Sequence, residues 1–424
     1  MSLALPSYDE ASALVVSRAA QLSRLRPAAE RVELRRAVGR VLARPLCADR
    51  DQPPFARSTR DGFACRALEA SAHIELAIAG TSRAGDRPAG PLPPGASWEI
   101  MTGAPIPAGA DAVMMIEHVQ VSADKVRLLP PRTVSEGENI VAQGAQARAG
   151  EELLPPGALI GFAQIAIAAA CGRAALDVFA RPRVAILSTG DELVPVKSTP
   201  GPGQIRNSSA PMLAAMVAAG GGEPWVLPTA TDNAEALDAA LVQADEADLL
   251  LITGGVSAGK FDLVEPALAR ARAKFHFTGV RIQPGKPLVF GEMPGRNARN
   301  SQKEDGTKCF FGLPGNPVSS ALTFLLFAAP VLAALAGRRD LGPHFVLARL
   351  ASAPDRKIKS GLTRFLPACC NFSASADRLP EVSLVTWQGS GDLAALARSN
   401  CFLVLPDEDH PSLEPGSIVR ILLT

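Results

Sequence analysis

The sequence predicts a multidomain protein in which a central, mostly parallel, three-layer α/β domain is combined with β-rich domains. The chain has 424 residues, more than one compact core holds, which indicates two to four domains. Between residues 183 and 337 strand-like and helix-like runs alternate, as in a parallel sheet covered on both faces. Short β-like runs between Pro/Gly turns fill residues 47–144 and return beyond residue 338.

The N-terminal region is predicted to be helical. From Tyr8 to Val41 the spacing fits a helix that Pro27 interrupts, with one side formed by Leu14, Arg18, Leu22 and Leu25. An Ala-rich run at 159–171 predicts a second helix. We therefore predict a helical linking domain made of residues 1–46 and 145–180, into which the β-rich module of residues 47–144 is inserted.

The α/β domain is predicted to span residues 181–337. Its strand candidates are Val184–Leu187, Leu249–Ile252, Leu288–Phe290 and Phe310–Phe311. Its helix candidates are Ala210–Ala219, Ala234–Ala244, Val264–Arg272 and Ser319–Ala336. The polar stretch 295–308 predicts a mobile hairpin loop. Residues 338–424 predict a C-terminal β domain, a small barrel or sandwich, with strands at Phe345–Leu350, Val382–Trp387, Cys401–Leu405 and Ser417–Leu423.

Composition excludes several classes of partner and site. With 43 basic and 42 acidic residues the net charge is +1, so no global field attracts nucleic acid or an acidic membrane. The seven cysteines show no CxxC spacing, and the vicinal pair Cys369-Cys370 would point to opposite faces of a strand. Reduced cysteines predict a cytoplasmic protein. Five scattered histidines without HxxxH spacing argue against a tight zinc site.

One charge-free stretch, 309–337, is long enough to span a bilayer. It contains the turn GLPGNP and also Pro330, so we interpret it as a strand, a tight loop and a buried helix. The N-terminus lacks the basic and apolar segments of a signal peptide. Together these observations predict a soluble protein without membrane association.

Four glycine- or proline-rich breaks border apolar runs of the predicted α/β domain. They are STGDEL at 188–193, TGGVSAG at 253–259, QPGKP at 283–287 and GLPGNP at 312–317. Glycine and proline weaken regular elements, so their repetition at strand ends indicates an unusual backbone. Open α/β sheets bind ligands outside the carboxyl ends of their strands. The four breaks therefore predict one ligand-binding crevice.

The acidic residues and glycines in two of these breaks are of the types that bind phosphate and Mg²⁺. Gly254 and Gly255 let backbone N–H groups converge on an anion, and Ser257 adds a hydroxyl. Asp262, with Glu192 from another strand end, could bridge Mg²⁺ to a phosphate. For each break taken alone, a tight turn or an N-cap is the alternative. Asp232 is a further metal candidate that fits a helix N-cap equally well.

The other two breaks offer a fixed cation and a helix start. Two prolines constrain the loop of Lys286, which suits a phosphate or oxyanion as a point charge, whereas a solvated lysine in a turn is the alternative. The fourth break precedes an apolar helix, so the helix N-terminus and Ser319 are expected to face the crevice. In the β-rich module, Asp61 lies in STRDGFA at 58–64 and Thr102 lies in a Pro/Gly-constrained loop; both segments also fit ordinary turns.

The ordered motifs resemble the molybdopterin molybdenumtransferase (MoeA) family and the similar E domain of gephyrin. DGFA at 61–64 resembles the family's DGYA, TGA at 102–104 its TGA, and the four breaks its STGDEL, GGVS, PGKP and GLPGNPVS. QGS at 388–390 and Ser399-Asn400 resemble two further elements. The resemblance covers nearly the whole chain, from Ala11 to the C-terminus, and implies an α/β domain of the molybdopterin-binding type.

The resemblance implies insertion of molybdate into adenylated molybdopterin, with Mg²⁺ assistance and release of AMP. It also implies a homodimer whose cleft lies between the α/β domain of one subunit and the β module of the other. A molybdopterin adenylyltransferase and acceptor molybdoenzymes are the partners it suggests.

By matching motifs, catalytic roles are expected for Asp61, Thr102, Glu192, Asp262 and Lys286, and metal binding for Glu192, Asp232 and Asp262. The expected substrate-binding residues are Ser188, Thr189, Gly190, Gly254, Gly255, Val256, Ser257, Pro284, Gly285, Pro314, Gly315, Asn316, Pro317, Ser319 and Ser390.

The chain departs from the family pattern at polar positions. Gln283 stands where relatives often have lysine, Gln146 where they often have aspartate, Pro367 where arginine is frequent, and Ser209 in place of an asparagine. Gln146, Gln283 and Pro367 motivate one alternative to the transferase, a non-catalytic molybdopterin-binding or scaffolding relative. A general nucleotide pyrophosphatase that uses the same phosphate-binding turns is a second alternative.

Overall fold

The computed structural model describes residues 5–22, 28–87, 90–255, 263–295, 306–352, 361–372, 379–407 and 413–424. Its N-terminal elements are helix α1 (Tyr8–Leu22) and strands β1 (Ala29–Glu33) and β2 (Leu46–Cys47). Ser7 and Glu10 begin α1 by reciprocal capping, since the Glu10 carboxylate accepts from the Ser7 N–H (2.8 Å) and the Ser7 hydroxyl accepts from the Glu10 N–H (3.2 Å).

The buried face of α1 differs from the predicted one. It consists of Tyr8, Ala11, Val15 and Ala19, at helical spacing, whereas the predicted Leu14 is exposed. This face packs on the helices of the α/β domain. The Tyr8 ring also contacts Phe327, Phe345 and Phe365 edge-on, so α1 connects the α/β domain to the C-terminal domain.

The β-rich module contains one twisted sheet with a short helix on one face. Its elements are β3 (Arg57–Ser58), β4 (Gly62–Cys65), α2 (Ala67–Ser71), β5 (Leu76–Ser82), β6 (Ala96–Ile100), β7 (Ala112–Met115), β8 (Val119–Ser122), β9 (Lys125–Leu128) and β10 (Ile140–Val141). In the part of the module that the structure describes, six strands pair in the order β7-β4-β6-β5-β9-β8. Alternate residues such as Phe63 and Met114 pack under α2.

The chain then returns to the N-terminal strands. It forms β11 (Glu152–Leu154), α3 (Phe162–Ala170) and β12 (Ala175–Phe179). Strand β12 pairs antiparallel with β1, and β11 pairs antiparallel with β2. The segment after Pro27, for which the spacing predicted a helix, is extended at Ala29–Glu33 and forms a single 3-10 turn at Leu34–Arg36. Tertiary pairing with β12 outweighs a weak helical pattern there.

The α/β domain follows. Its elements are β13 (Arg183–Ser188), β14 (Leu193–Val194), β15 (Ile205–Arg206), α4 (Ser209–Ala219), β16 (Glu223–Val226), α5 (Ala234–Gln243), β17 (Leu249–Thr253), α6 (Val264–Arg270), β18 (Lys274–Phe277), β19 (Ile282–Gln283), β20 (Val289–Gly295), β21 (Gly306–Leu313), α7 (Pro317–Thr323) and α8 (Ala329–Leu335). The main sheet has the order β16-β13-β17-β21-β20-β18. Only β20 runs against the other described strands of this sheet, which confirms the mostly parallel arrangement.

Side chains alternate along the central strands between two apolar cores. Ile186 and Leu251 face the core that α1, α4, α7 and α8 cover, whereas Leu187 and Leu250 face the core under α5 and α6. The predicted three layers are confirmed. The hairpin loop predicted within 295–308 lies mostly outside the described residues, although its ends pair as Gly295 with Gly306.

The apolar stretch 317–335 is a nearly continuous helix, with a π-helical segment at Phe324–Ala328 between α7 and α8. By length and composition it could cross a membrane, but 83% of its most apolar window is buried inside the protein. The interpretation as a buried core helix is confirmed. Its apolar side chains pack against α1, α4 and the central sheet.

The C-terminal domain is a closed barrel. Its elements are β22 (Phe345–Leu350), β23 (Thr363–Asn371), β24 (Glu381–Leu384), α9 (Leu393–Arg398), β25 (Cys401–Leu405) and β26 (Ile418–Leu423). The strands follow the order β23-β24-β22-β26-β25, and β25 pairs again with β23 to close the ring. All seven cysteines are free, and Cys369 is exposed whereas Cys370 is buried, as predicted for neighbours in a strand.

Candidate functional site

Three of the four breaks meet at one edge of the central sheet. Ser188 at the end of β13 is in register with Thr253 at the end of β17, and Thr253 is in register with Leu313 at the end of β21. Because these strands are parallel, the turns that follow them leave the sheet side by side. These three breaks therefore lie side by side at the edge where the ligand-binding crevice is predicted.

The remaining break, QPGKP at 283–287, reaches the same edge by a different route. Strand β20 is antiparallel to β21, and its first residue, Val289, pairs with Gly312. The start of β20 thus lies beside the ends of the parallel strands, and Lys286 lies three residues before it. Lys286 is exposed and its ammonium makes no ion pair or hydrogen bond with the described residues.

Glycine at position 254 is required by the close approach of two turns. Gly254 has φ +92°, and a Cβ there would lie 2.3 Å from the carbonyl oxygen of Thr189. On its other side, a Cβ at Gly315 would lie 3.4 Å from the Gly254 Cα. Three breaks therefore pack backbone against backbone at this edge.

Acidic groups gather beside the first break. The Thr189 hydroxyl donates to the Asp232 carboxylate at 2.6 Å, and the Asp232 N–H donates to the Asp191 carboxylate at 3.1 Å. The exposed Glu192 folds back over Gly190, where an added Cβ would lie 2.5 Å from its Oε2. Thus Glu192 and Asp232, two of the predicted metal ligands, both lie next to Thr189 and Gly190.

Among the described residues no cluster of three or more His, Cys, Asp or Glu side chains forms a complete metal site. Asp262, the third predicted ligand, lies outside the described residues, and so do Val256 and Ser257.

The C-terminal domain holds the start of helix α7. The Ser390 hydroxyl accepts from the Asn316 amide at 2.9 Å, and the Ser390 carbonyl accepts from the Val318 N–H at 3.0 Å. The carboxylate of Asp392 organises this loop, and the N–H groups of Ala395 and Gln388 that donate to it hold its pKa below the usual range. The structure therefore places Ser390 against the fourth break.

The serines along this edge, Ser188, Ser319 and Ser320, are all buried. Ser188 is 1% exposed, and its Oγ has no hydrogen-bond partner among the described residues. Ser319 is 3% exposed, so a direct contact with substrate is not visible and its role stays a prediction. Its neighbour Ser320, which the sequence did not single out, donates to the Pro314 carbonyl at 2.8 Å and fixes the turn.

The Lys286 loop packs between α7 and the barrel. An added Cβ at Gly285 would lie 2.6 Å from the Thr323 methyl at the end of α7. Just before it, the Gln283 side-chain carbonyl accepts from Arg364 Nε at 2.9 Å. Arg364 lies on β23 and is a contact that sequence spacing did not reveal, because 81 residues separate the two positions.

Asp61 and Thr102 form a local pair in the β-rich module. The backbone N–H and the hydroxyl of Thr102 both donate to Asp61 Oδ1, at 2.6 and 2.7 Å. These two bonds, the backbone one first, hold the pKa of Asp61 below its usual range. Gly62 is needed beside it, since a Cβ there would lie 1.9 Å from the Met114 carbonyl. The hydrogen bonds of both side chains stay within the module.

The remaining departures from the expected pattern lie in three different parts of the fold. Gln146 is exposed, and its N–H donates to the Gln52 carbonyl at 2.8 Å. Pro367 lies in β23 opposite Phe402, and its carbonyl accepts from the Val385 N–H. Ser209 is buried at the start of α4, and its hydroxyl lies 3.4 Å from the Gly315 carbonyl.

Comparison with known proteins gives consistent matches along the chain. Family models match as the MoeA N-terminal region (domain I and II) over residues 6–172, a probable molybdopterin binding domain over 185–334 and the MoeA C-terminal region (domain IV) over 349–424. A molybdopterin molybdenumtransferase of Nostoc sp. (strain PCC 7120) is 35% identical over 396 residues, covering 89% of this chain and 85% of that protein.

Two further relatives extend the match. A molybdopterin molybdenumtransferase of Staphylococcus aureus (strain COL) is 31% identical over 403 residues, covering 93% of this chain and 90% of that protein. The crystal structure of a molybdopterin biosynthesis MoeA protein from Pyrococcus horikoshii OT3 has a TM-score of 0.79 at 29% identity, covering 99% of this chain and 100% of that one.

Proposed function

The chain belongs to the MoeA family of molybdopterin molybdenumtransferases, enzymes of molybdenum cofactor biosynthesis, and we propose that it inserts molybdate into adenylated molybdopterin with release of AMP. The observation that carries the detailed reaction is the register of Ser188, Thr253 and Leu313 at one sheet edge. That edge offers backbone donors, exposed carboxylates and a single lysine, which together suit a phosphate-bearing substrate.

Each group has a role in this proposal. The Gly254 turn and the backbone before α7 donate to phosphate oxygens, and Gly254 allows that approach because a side chain would collide with Thr189. Lys286 offsets negative charge on the phosphates or on molybdate as a point charge. The same donors favour the release of AMP, because they stabilise the negative charge that develops on the departing phosphate.

Mg²⁺ fits the acids present. Glu192 and Asp232 supply hard oxygen ligands beside Gly190, and Asp262 is the third ligand predicted from the sequence. When bound, Mg²⁺ would neutralise phosphate charge and polarise the phosphoryl oxygen. Thr189 holds the Asp232 carboxylate in place through its hydroxyl.

We further propose a homodimer in which Asp61 and Thr102 complete the cleft of the other subunit. The pair is exposed. Oδ1 of Asp61 accepts both hydrogen bonds from Thr102, so Oδ2 of Asp61 is not used in this contact. A carboxylate held ionised by two donors suits a substrate that brings its own cation or donor groups. We place the reaction in the cytoplasm, because all seven cysteines are free thiols.

The test measures AMP release from adenylated molybdopterin with molybdate, with and without Mg²⁺, and activation of an apo-molybdoenzyme by the product. We expect Glu192→Gln to lower AMP release by roughly 100-fold. Glu235→Gln is the matched control, since Glu235 is an exposed acid in the first turn of α5. A folded wild-type protein that binds the pterin but releases no AMP would instead identify a non-catalytic relative. Hydrolysis of unrelated dinucleotides without molybdate would identify a pyrophosphatase.

A further inference from the structure

Phe162, the first residue of helix α3, is almost completely exposed. It is 90% exposed, and two other large apolar residues of the linking domain, Leu159 and Val38, are 50% and 57% exposed. The backbone brings these residues together, because the Gly39 N–H donates to the Ile160 carbonyl at 2.8 Å. None of the nine residues of α3 is charged. We call Val38, Leu159 and Phe162 the apolar patch.

The apolar patch is large for the surface of a single chain. From their exposed fractions, its three residues present roughly 300–400 Å² to solvent, since a large aromatic side chain accounts for about 150–250 Å² when fully exposed. Contiguous apolar patches of a few hundred Å² are often interaction sites. Each partner of a standard dimer contributes about 800 Å² to the interface. The patch therefore has the size of the apolar centre of such an interface.

A cavity of about 130 Å³ lies beside the apolar patch, between the linking domain and the α/β domain. Leu159 belongs to both, and Phe162 follows it by three residues, a span of at most about 10 Å. An engineered apolar cavity of about 150 Å³ binds benzene, so this cavity has roughly the volume that a phenyl ring needs. Its apolar wall includes Val41, Leu159, Phe179, Ala219, Gly220 and Ala336.

Three arginines, Arg40, Arg181 and Arg338, also line the cavity. Arg40 donates to the Phe179 carbonyl at 2.8 Å and pairs with the Glu30 carboxylate. A guanidinium that is hydrogen-bonded in its own plane can still stack on an aromatic ring through its face. This wall therefore suits an aromatic side chain better than an aliphatic one.

We propose that the apolar patch and the cavity form the contact surface of the homodimer, with Phe162 of each subunit inserted into the cavity of the other subunit. A protruding ring and a cavity on the same face are self-complementary, as a two-fold interface requires. This inference rests on the proposed function, because the homodimer is part of it. The exposed pair Asp61 and Thr102 is polar, so the apolar contact that holds two subunits together must come from another surface.

The experiment measures the dimer dissociation constant by analytical ultracentrifugation over a range of protein concentrations. We expect Phe162→Ala to raise this Kd by at least roughly 30-fold, because each dimer loses two inserted rings. Phe162→Asp should be monomeric at micromolar concentration, since it would bury a carboxylate. Ala219→Leu narrows the cavity and leaves Phe162 intact, and it should also raise the Kd. Ala219 is exposed at the end of α4, so the larger side chain is compatible with folding.

Val242→Asp is the matched control. Val242 is 75% exposed on α5, which covers the opposite face of the central sheet from α4 and α8. We expect its Kd to equal that of wild type, and circular dichroism checks the folding of every variant.

A wild-type Kd in folded Phe162→Asp and Ala219→Leu would overturn the inference, leave the homodimer intact and assign the patch to a different partner. If the Phe162 variants do not fold, the Kd of Ala219→Leu decides. A wild type that stays monomeric at every concentration would overturn both the inference and the proposed homodimer. AMP release by wild type, measured separately, tests the transferase reaction in each case.

Discussion

The α/β crevice and the Asp61–Thr102 pair assemble polar groups in opposite ways. The crevice collects residues far apart in sequence, and the register of buried strands fixes their positions. The pair is a single exposed contact between two loops of the β-rich module. A groove fixed by buried strands has a defined shape before substrate arrives, whereas an exposed pair requires a second surface to exclude water around it. The difference indicates that the crevice is the rigid half of the site.

The largest expected effect is complementation between the two regions. Asp61→Asn and Glu192→Gln should each abolish most AMP release alone. If the cleft joins the two regions from different subunits, mixed dimers contain one cleft with both lesions and one with neither. When equal amounts of the two variants are unfolded, mixed and refolded together, AMP release should return to roughly a quarter of the wild-type rate. No recovery in mixtures shown to contain mixed dimers would mean that both residues act within one chain.

The next effect tests the backbone construction of the crevice. Gly254→Ala places a Cβ 2.3 Å from the Thr189 carbonyl at φ +92°, so the turns must separate. We expect the free energy of unfolding of the α/β domain to fall by about 1–3 kcal/mol. AMP release should fall at least roughly tenfold. Thermal unfolding and AMP assays check this. Gly342→Ala is the control, since nothing lies within 4 Å of its added Cβ; equal behaviour of the two variants would contradict the backbone model.

A smaller effect is expected at the contact between the barrel and α7. Ser390→Ala removes the hydroxyl that accepts from Asn316 but keeps the carbonyl that accepts from Val318. The loss of one hydrogen bond, about 1 kcal/mol, should raise KM by roughly fivefold with little change in kcat. Ser383→Ala, at an exposed position of β24, should leave KM unchanged. A kcat loss without a KM change would place Ser390 in the chemistry rather than in loop positioning.

The smallest effect concerns the exposed pair. Thr102→Val removes the hydroxyl donor and keeps the backbone N–H donor, so the pKa of Asp61 should rise part of the way towards its usual range. Since the folded-state pKa is lowered, the contact is present at neutral pH and is lost as pH falls through that pKa. NMR titration of the Asp61 carboxyl measures the shift. Thr59→Val, whose hydroxyl contacts the Asn139 carbonyl, should leave it unchanged.

Sequence patterns predicted the crevice because its causes are local. Apolar runs of two to four residues marked the central strands, and the Gly/Pro breaks marked the edge where they end. The barrel was harder, since β23 contains Arg364, Pro367 and Asn371 and lacks a clean alternation. The predicted buried face of α1 was wrong because alanines, which spacing arguments overlook, form half of the face that is buried. The Gln283–Arg364 bond depends on strand pairing between domains and has no local signal.

Leu5 and Pro6, the first residues that the structure describes, lie close to the lysine loop, and this has a practical consequence for protein production. Leu5 packs so near Gly279 that an added Cβ there would lie 2.7 Å from its methyl group, and the Pro6 carbonyl accepts from the Arg281 N–H at 2.8 Å. The Val280 N–H in turn donates to the Lys286 carbonyl. An affinity tag fused ahead of Leu5 would be attached next to these contacts and would disturb them. Kinetic work on this enzyme should therefore carry its tag at the C-terminus or remove an N-terminal one.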